Sequence, residues 1–343
     1  MAAARLREFL HRDNHITVCP GVYDGFTARI ALREKFECLY MTGAGTSVSR
    51  LGMPDLGILT MNDMVSNASM IASLDRKVPL IADADTGFGG PIMVARTVKS
   101  YISAGVAGLH LEDQVLSKRC GHLMGKEIVD EETFLARIRA AVIARGEMKA
   151  DVGEAAGDIV IIARTDALQL LGLDVAVRRL QMAIDLGADV AFLEGPTSVE
   201  QCRLAVKKLA PTPVLLNMVP GGVTPNLTAA EAREAGFKLI IYPGLMLSAV
   251  YEACASVSAE LKSTGAVRRS EGQENMSPKA VFTVCGLDEC IELDKKAGGH
   301  SYENGGYKSD QGNPTWQLQS GEMPNFGNKA MWLDLNQYPQ NSS

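Results

Sequence analysis

The chain has 343 residues, 46% of them hydrophobic, and a formal net charge of −6 at pH 7. This length accommodates one large domain with extensions, and an acidic balance without a basic tract argues against nucleic acid as a partner. No run of about 20 apolar residues occurs, so no membrane-spanning helix is expected.

Residues 1–15 read as a helix that is too charged for a secretory signal. Eight short apolar runs then recur, at 16–24, 38–44, 79–85, 108–114, 158–166, 189–195, 213–219 and 238–244. A nearly continuous apolar run is the pattern of a parallel strand covered by helices on both faces. Eight such runs separated by helical spacing predict an α/β fold, a (β/α)8 TIM-type barrel, with its active site at the C-terminal strand ends. Asp24, Asp83, Asp85, Glu112, Arg164, Glu194 and Asn217 sit at those ends and are the first candidates for function. Thr197 with Glu200, and Thr228 with Glu231, have capping-box spacing. Residues 146–157 (GEMKADVGEAAG) read as a polar loop before the fifth strand. Residues 247–261 read as a helix, 262–278 as a polar linker and 279–294 as another helix. The expected organisation is a barrel with its N-terminal helix over 1–262, a linker and helical extension over 263–296, and a polar, extended tail over 297–343. The seven scattered cysteines favour a reduced setting. A cytoplasmic location is expected, with mitochondrial and peroxisomal ones open.

Four constellations carry chemistry. In ADADTGFGG (82–90), Asp83 and Asp85 lie two apart in a strand and point the same way. Two converging carboxylates suit Mg2+, which keeps several waters and takes only one or two protein carboxylates. Asp55 and Glu112 complete the candidate site. A solvated turn explains an isolated pair about as well, but four acids at one barrel mouth favour the metal. In KRCGH (118–122), Cys120 has the cationic neighbours Lys118 and Arg119, which lower a thiol pKa, and His122 is placed to relay a proton. The pattern fits a nucleophile, a general acid or base, or a redox-sensitive thiol, and an ordinary surface cysteine is the plain alternative. Arg164, with Glu194 and Asn217, is suited to holding a carboxylate through two parallel hydrogen bonds. YMTGAGT (40–46) is a Gly-rich turn whose N–H groups can bind an anion, or simply a tight connection. It lacks the dinucleotide fingerprint.

Taken together, these residues resemble the isocitrate lyase/phosphoenolpyruvate mutase superfamily over roughly residues 16–262. The resemblance rests on GVYDG (21–25), YMTGAGTS (40–47), GMPDLG (52–57), ADADTGFGGP (82–91), LEDQ (111–114), KRCGH (118–122), IARTDA (162–167), FLEG (192–195) and LLNM (215–218). KRCGH resembles the lyase branch, and the chain looks most like the fungal 2,3-dimethylmalate lyase and oxaloacetate acetylhydrolase group, to which VCGLDE (284–289) also points. The resemblance implies a barrel that swaps its last helix between partners, in a homotetramer built as a dimer of dimers. It implies Mg2+, with Mn2+ as a substitute, at Asp85, with Asp55, Asp83 and Glu112 holding the water shell. It implies that Tyr40, Thr42, Gly43 and Ala44 hold the α-oxyacid end of a small dicarboxylate or tricarboxylate substrate, and that Arg164 clamps a carboxylate. Cys120 would be the acid/base on a loop with Lys118, Arg119, Gly121 and His122, and Glu194 and Asn217 would contact the second carboxylate or the loop. Pro243 stands where the hydrolases of the family carry Ser. The implied activity is therefore cleavage of a substituted malate to an α-keto acid and a second carboxylic acid. Oxaloacetate hydrolysis to oxalate and acetate, the reverse condensation, and a non-catalytic binding barrel stay open.

Overall fold

The computed structural model describes residues 2–121, 123, 125–266 and 277–302. His122, part of the expected linker (267–276) and the tail from 303 lie outside the described residues. Helix α1 (Ala2–His11) precedes β1 (Thr17–Val22), α2 (Gly25–Arg33), β2 (Leu39–Met41), α3 (Gly43–Leu51), α4 (Met61–Leu74), β3 (Leu80–Asp83), α5 (Pro91–Ala104) and β4 (Gly108–Glu112). Then come α6 (Glu131–Val152), β5 (Val160–Thr165), α7 (Leu168–Leu171), α8 (Leu173–Asp185), β6 (Val190–Leu193), α9 (Val199–Leu209), β7 (Val214–Asn217), α10 (Ala229–Glu234), β8 (Leu239–Tyr242), α11 (Leu245–Thr264), α12 (Pro278–Val284) and α13 (Leu287–Lys296). The strands pair in parallel in sequence order and close through β8 and β1, giving the predicted (β/α)8 barrel.

The two-residue period of a strand explains where the site lies. Cys19, Tyr40, Ile81, Val160, Ile162, Val190, Phe192, Leu215, Leu239 and Ile241 fill the barrel interior. Their neighbours Leu109, Leu111, Ile161, Ala163, Ala191 and Ile240 belong to the layer under the helices. Continuing the interior phase by one step leads to Gly21, Thr42, Asp83, Arg164, Glu194, Asn217 and Pro243. His110 and Glu112 share that phase on β4, because Leu109 and Leu111 face outward. The strands thus deliver their last inward side chains to one mouth.

Several local expectations change. Asp24 is the N-cap of α2, in a capping box with Thr27, so a structural duty accounts for it. The box at Thr228 and Glu231 forms. The one before α9 shifts by a residue: Ser198 caps Gln201, and Gln201 accepts from the Thr197 N–H. Residues 146–152 are not loop but the end of α6, since Glu, Met, Lys and Ala outweigh a single Gly, and the helix stops at Gly153 (φ 96°). The helix expected over 279–294 is two helices, separated at Gly286, whose φ of 91° no helix tolerates. The chain divides into a unit Met1–Leu287, which holds the barrel, and a unit Asp288–Ser343. None of the seven cysteines forms a disulfide. Among the described residues no helix is long and apolar enough to cross a membrane. Helix α11 is unusual in that none of its 20 residues is buried, and Tyr251 is 74% exposed.

Candidate active site

The acids occupy one mouth at the ends of β3 and β4 and on the loop after α3. Asp83 is fixed from three directions. Its Oδ2 accepts from Gly43 N–H (3.1 Å), its Oδ1 accepts from Asp85 N–H (2.9 Å), and its backbone carbonyl accepts from Tyr101 OH (2.6 Å). A Cβ on Gly43 would lie 2.5 Å from Asp83 Oδ2, so glycine is required at the start of α3. Asp85 adopts φ 47°, a left-handed conformation that costs a non-glycine residue on the order of 1 kcal/mol and marks a constrained position. Burial pushes Asp85 up to about 6 against the attraction of Lys118, with Asp83 and Asp55 adding to the rise. Burial also raises Asp83, but His110, Lys118 and Arg164 more than offset it and hold that carboxyl below its ordinary value. Burial drives Glu112 well up, against Arg164 and Lys118. Beneath them His110 meets Tyr40 OH at 2.9 Å through Nε2, and burial lowers its pKa to about 4, so the ring is neutral at pH 7.

The residues fit a hard divalent cation. Neither carboxylate oxygen of the buried Glu112 accepts a hydrogen bond, its one close cation being Arg164, and Asp85 Oδ1 meets only the Lys118 ammonium. Lys118 Nζ pairs with Asp55 Oδ1 and Asp85 Oδ1, each at 2.6 Å, and supplies the positive charge there. Among the described residues no three carboxylate, imidazole or thiol side chains converge closely enough to ligate one ion directly. Mg2+ held by one or two carboxylates and its own waters needs no such triad.

Facing these acids, Arg164 is buried at the end of β5 and lies 5.1 Å over the Phe192 ring. Its Nε lies 3.3 Å from Glu112 Oε2 and its Nη2 3.3 Å from Glu194 Oε2. Asp166, not anticipated from the sequence, takes the strongest share: it accepts from Nε at 2.9 Å and from Nη2 at 3.2 Å. Burial opposes the ionisation of Asp166, but Arg164 and Lys126 prevail and bring it down to about 2. Asn217 Nδ2 donates to both oxygens of Glu194, at 3.1 and 3.3 Å.

The segment that carries Cys120 reaches this mouth. Gly121 packs so closely that a Cβ there would lie 2.5 Å from Arg164 Nη2 and 2.9 Å from Glu194 Cδ. Cys120 itself is half-buried, and Arg119 is exposed. Thr42 caps α3, placing Gly43 and Ala44 in its first turn, and Pro243 lies in the turn after β8 against Gly21. The sequence candidates within the described residues therefore gather at one end of the barrel. Three residues missed by sequence reasoning join them: Asp166, Gln114 and Lys126. Asp166 had a signal, since it continues the phase of Arg164. Lys126 had none.

Fold and mouth together define a (β/α)8-barrel enzyme. A profile of the phosphoenolpyruvate phosphomutase family matches residues 6–262. The 2,3-dimethylmalate lyase of Eubacterium barkeri is 42% identical over 260 residues, covering 76% of this chain and 86% of that protein. The 2-methylisocitrate lyase of Aeropyrum pernix is 41% identical over 260 residues, covering 76% and 80%. A solved 2,3-dimethylmalate lyase superposes with a TM-score of 0.83 at 50% identity, over 88% of this chain and 97% of its own. An oxaloacetate acetylhydrolase bound to 3,3-difluorooxalacetate gives 0.82 at 50%, over 88% and 98%. The chain belongs to the phosphoenolpyruvate mutase/isocitrate lyase superfamily. Within it, the chain is a carbon–carbon lyase.

Proposed function

We propose that this enzyme cleaves the C2–C3 bond of a substituted malate, yielding an α-keto acid and a second carboxylic acid. The observation that carries the reading is the seating of Gly121 against Arg164 and Glu194, which brings the Cys120 segment to the mouth where Asp55, Asp83, Asp85 and Glu112 gather. Mg2+, held by Asp85 with Asp55, Asp83 and Glu112 around its waters, would supply Lewis acidity toward the substrate's carboxylate and hydroxyl. The Ala44 N–H at the start of α3, with Tyr40, Thr42 and Gly43 lining the turn, holds the α-oxyacid end, while the Gly43 N–H stays on Asp83. Arg164 engages a carboxylate. As the hydroxyl proton leaves to a base, the O–H electrons form the keto group and the C2–C3 pair departs with C3. The departing fragment is an enolate-like dianion, which needs a positive field and a proton. Cys120 gives that proton to carbon from its S–H, and Lys118 and Arg119 add the field. Glu194 and Asn217 orient the second carboxylate.

Oxaloacetate hydrolysis is the second reading, favoured by the equal identity to the acetylhydrolase. Pro243 argues against it, because proline offers no hydroxyl with which to hold a hydrated keto group. We further propose that α11, with no buried residue of its own, docks on a second copy in a dimer of dimers. The deciding assay offers dimethylmalate, citramalate, methylisocitrate, isocitrate, malate and oxaloacetate with Mg2+, and measures keto acid and oxalate separately. Keto acid from a substituted malate with little oxalate supports lysis. Efficient oxalate release from oxaloacetate would replace this reading with the hydrolase.

A further inference from the structure

The proton donor proposed above sits between two anchors that the reaction itself does not call for. On the N-terminal side of Cys120, the Gln114 side chain clasps the Arg119 backbone twice. Its Nε2 donates to Arg119 O (2.9 Å) and its Oε1 accepts from Arg119 N–H (3.1 Å). On the C-terminal side, Lys126 Nζ donates to Gly121 O and to Asp166 Oδ1, both at 2.8 Å. Gln114 is fully buried and the Lys126 side chain is 1% exposed, so neither is a solvated surface contact. Asp166 is in turn held by its neighbours. Its N–H donates to Asp113 Oδ1 (2.8 Å), and Asp113 Oδ2 accepts from Thr165 Oγ1 (2.6 Å) and Arg179 Nη1 (3.0 Å). Asp166 also holds Arg164.

The residues on either side of Cys120 are thus tied to the ends of β4 and β5, and the second tie shares a carboxylate with the substrate-clamping arginine. A buried ammonium is expensive to desolvate and adds little net stability against an apolar replacement. Its two well-aligned bonds are better explained by geometry than by stability. We propose that Gln114 and Lys126 are positioning residues for Cys120, and that Asp166 couples their placement to Arg164. The role assigned to Cys120 rests on the lyase reading, but the anchoring can be tested without turnover.

The test compares wild type with Lys126→Met, Lys126→Arg and Gln114→Ala. Iodoacetamide modification of Cys120 is followed by peptide mass spectrometry, which separates it from the exposed Cys254, Cys285 and Cys290. Loss of an anchor leaves the segment free to leave the mouth, so Cys120 in Lys126→Met should alkylate faster by about fivefold or more. Turnover should fall about 10- to 100-fold with KM changed by less than about threefold, the sign of misplaced acid–base catalysis. Lys126→Arg, which keeps the charge and two donors, should recover part of both. Gln114→Ala buries no orphaned charge and reads the same quantity if Lys126→Met fails to fold. Cys120 alkylation unchanged from wild type in a folded Lys126→Met or Gln114→Ala protein would overturn the proposal. If wild type turns over no malate, the lyase reading falls, while the alkylation rates still decide whether the anchors position Cys120.

Discussion

Gly121→Ala tests whether the cysteine segment must seat against Arg164 and Glu194. The added Cβ would lie 2.5 Å from Arg164 Nη2, 2.9 Å from Glu194 Cδ and 3.0 Å from Glu194 Cγ. Neither neighbour can retreat cheaply. Arg164 donates two bonds to Asp166, and Glu194 accepts two from Asn217. Either one charge-assisted hydrogen bond breaks, at about 1.5–3 kcal/mol, or the segment lifts and carries Cys120 with it. At about 1.4 kcal/mol per decade, the first route alone lowers kcat/KM by about 10- to 150-fold. Keto-acid release from the best malate in the panel measures this, and Tm separates the two routes: it stays within about 2 °C where the segment lifts and falls by about 3 °C or more where a buried bond breaks. Gly90→Ala is the matched control: a Cβ there meets nothing within 4 Å, and φ is −75°. Turnover in Gly121→Ala within about twofold of wild type would refute the claim that the segment acts from its seated position.

The metal reading expects EDTA to abolish activity and Mg2+ or Mn2+ to restore it. Asp85→Asn should weaken Mn2+ binding, followed by electron paramagnetic resonance, without lowering Tm. A variant that binds Mn2+ as wild type does would remove Asp85 from the site. His110 gives a pH dependence of stability. Burial, reinforced by Arg164 and Lys118 and opposed by Asp83, depresses its folded pKa to about 4. The unfolded chain binds that proton near pH 6.5, so stability should fall as pH drops from about 6.5 through 4, by about 3 kcal/mol in all. His110→Gln should flatten that part of the slope, and superimposable urea midpoints of variant and wild type between pH 7 and 4 would contradict it. For assembly, light scattering should give a dimer or tetramer, and truncation after Gly265 should disturb the oligomer more than the barrel. A stable, active monomer would be the contrary result.

What the sequence shows plainly is whatever a two-residue period can write. Tyr40, Asp83, Arg164, Glu194 and Asn217 each continue the interior phase of an apolar run, so both the barrel and most of its mouth could be read from alternation and strand ends. Asp166 obeys the same rule, two residues beyond Arg164 and one past the end of β5. The same reasoning placed Asp24 at a strand end, but a carboxylate three residues before a threonine also fits a capping box, and the helix took it. Propensity decided α6 in the same way, where one glycine could not interrupt a run of strong helix formers. Lys126 belongs to another category, and so does the partner of Gln114, although Gln114 itself keeps the phase of Glu112 two residues on. Lys126 meets a carboxylate 40 positions away and a carbonyl five positions back, along a segment with no regular period. Gln114 reaches its partner five positions forward. Such contacts exist only after the chain beyond β4 has folded back over the mouth. Strand phase sets which groups face the substrate, whereas this loop path sets how firmly Cys120 is held there. The first is written locally in the chain, and the second emerges only from the assembled barrel.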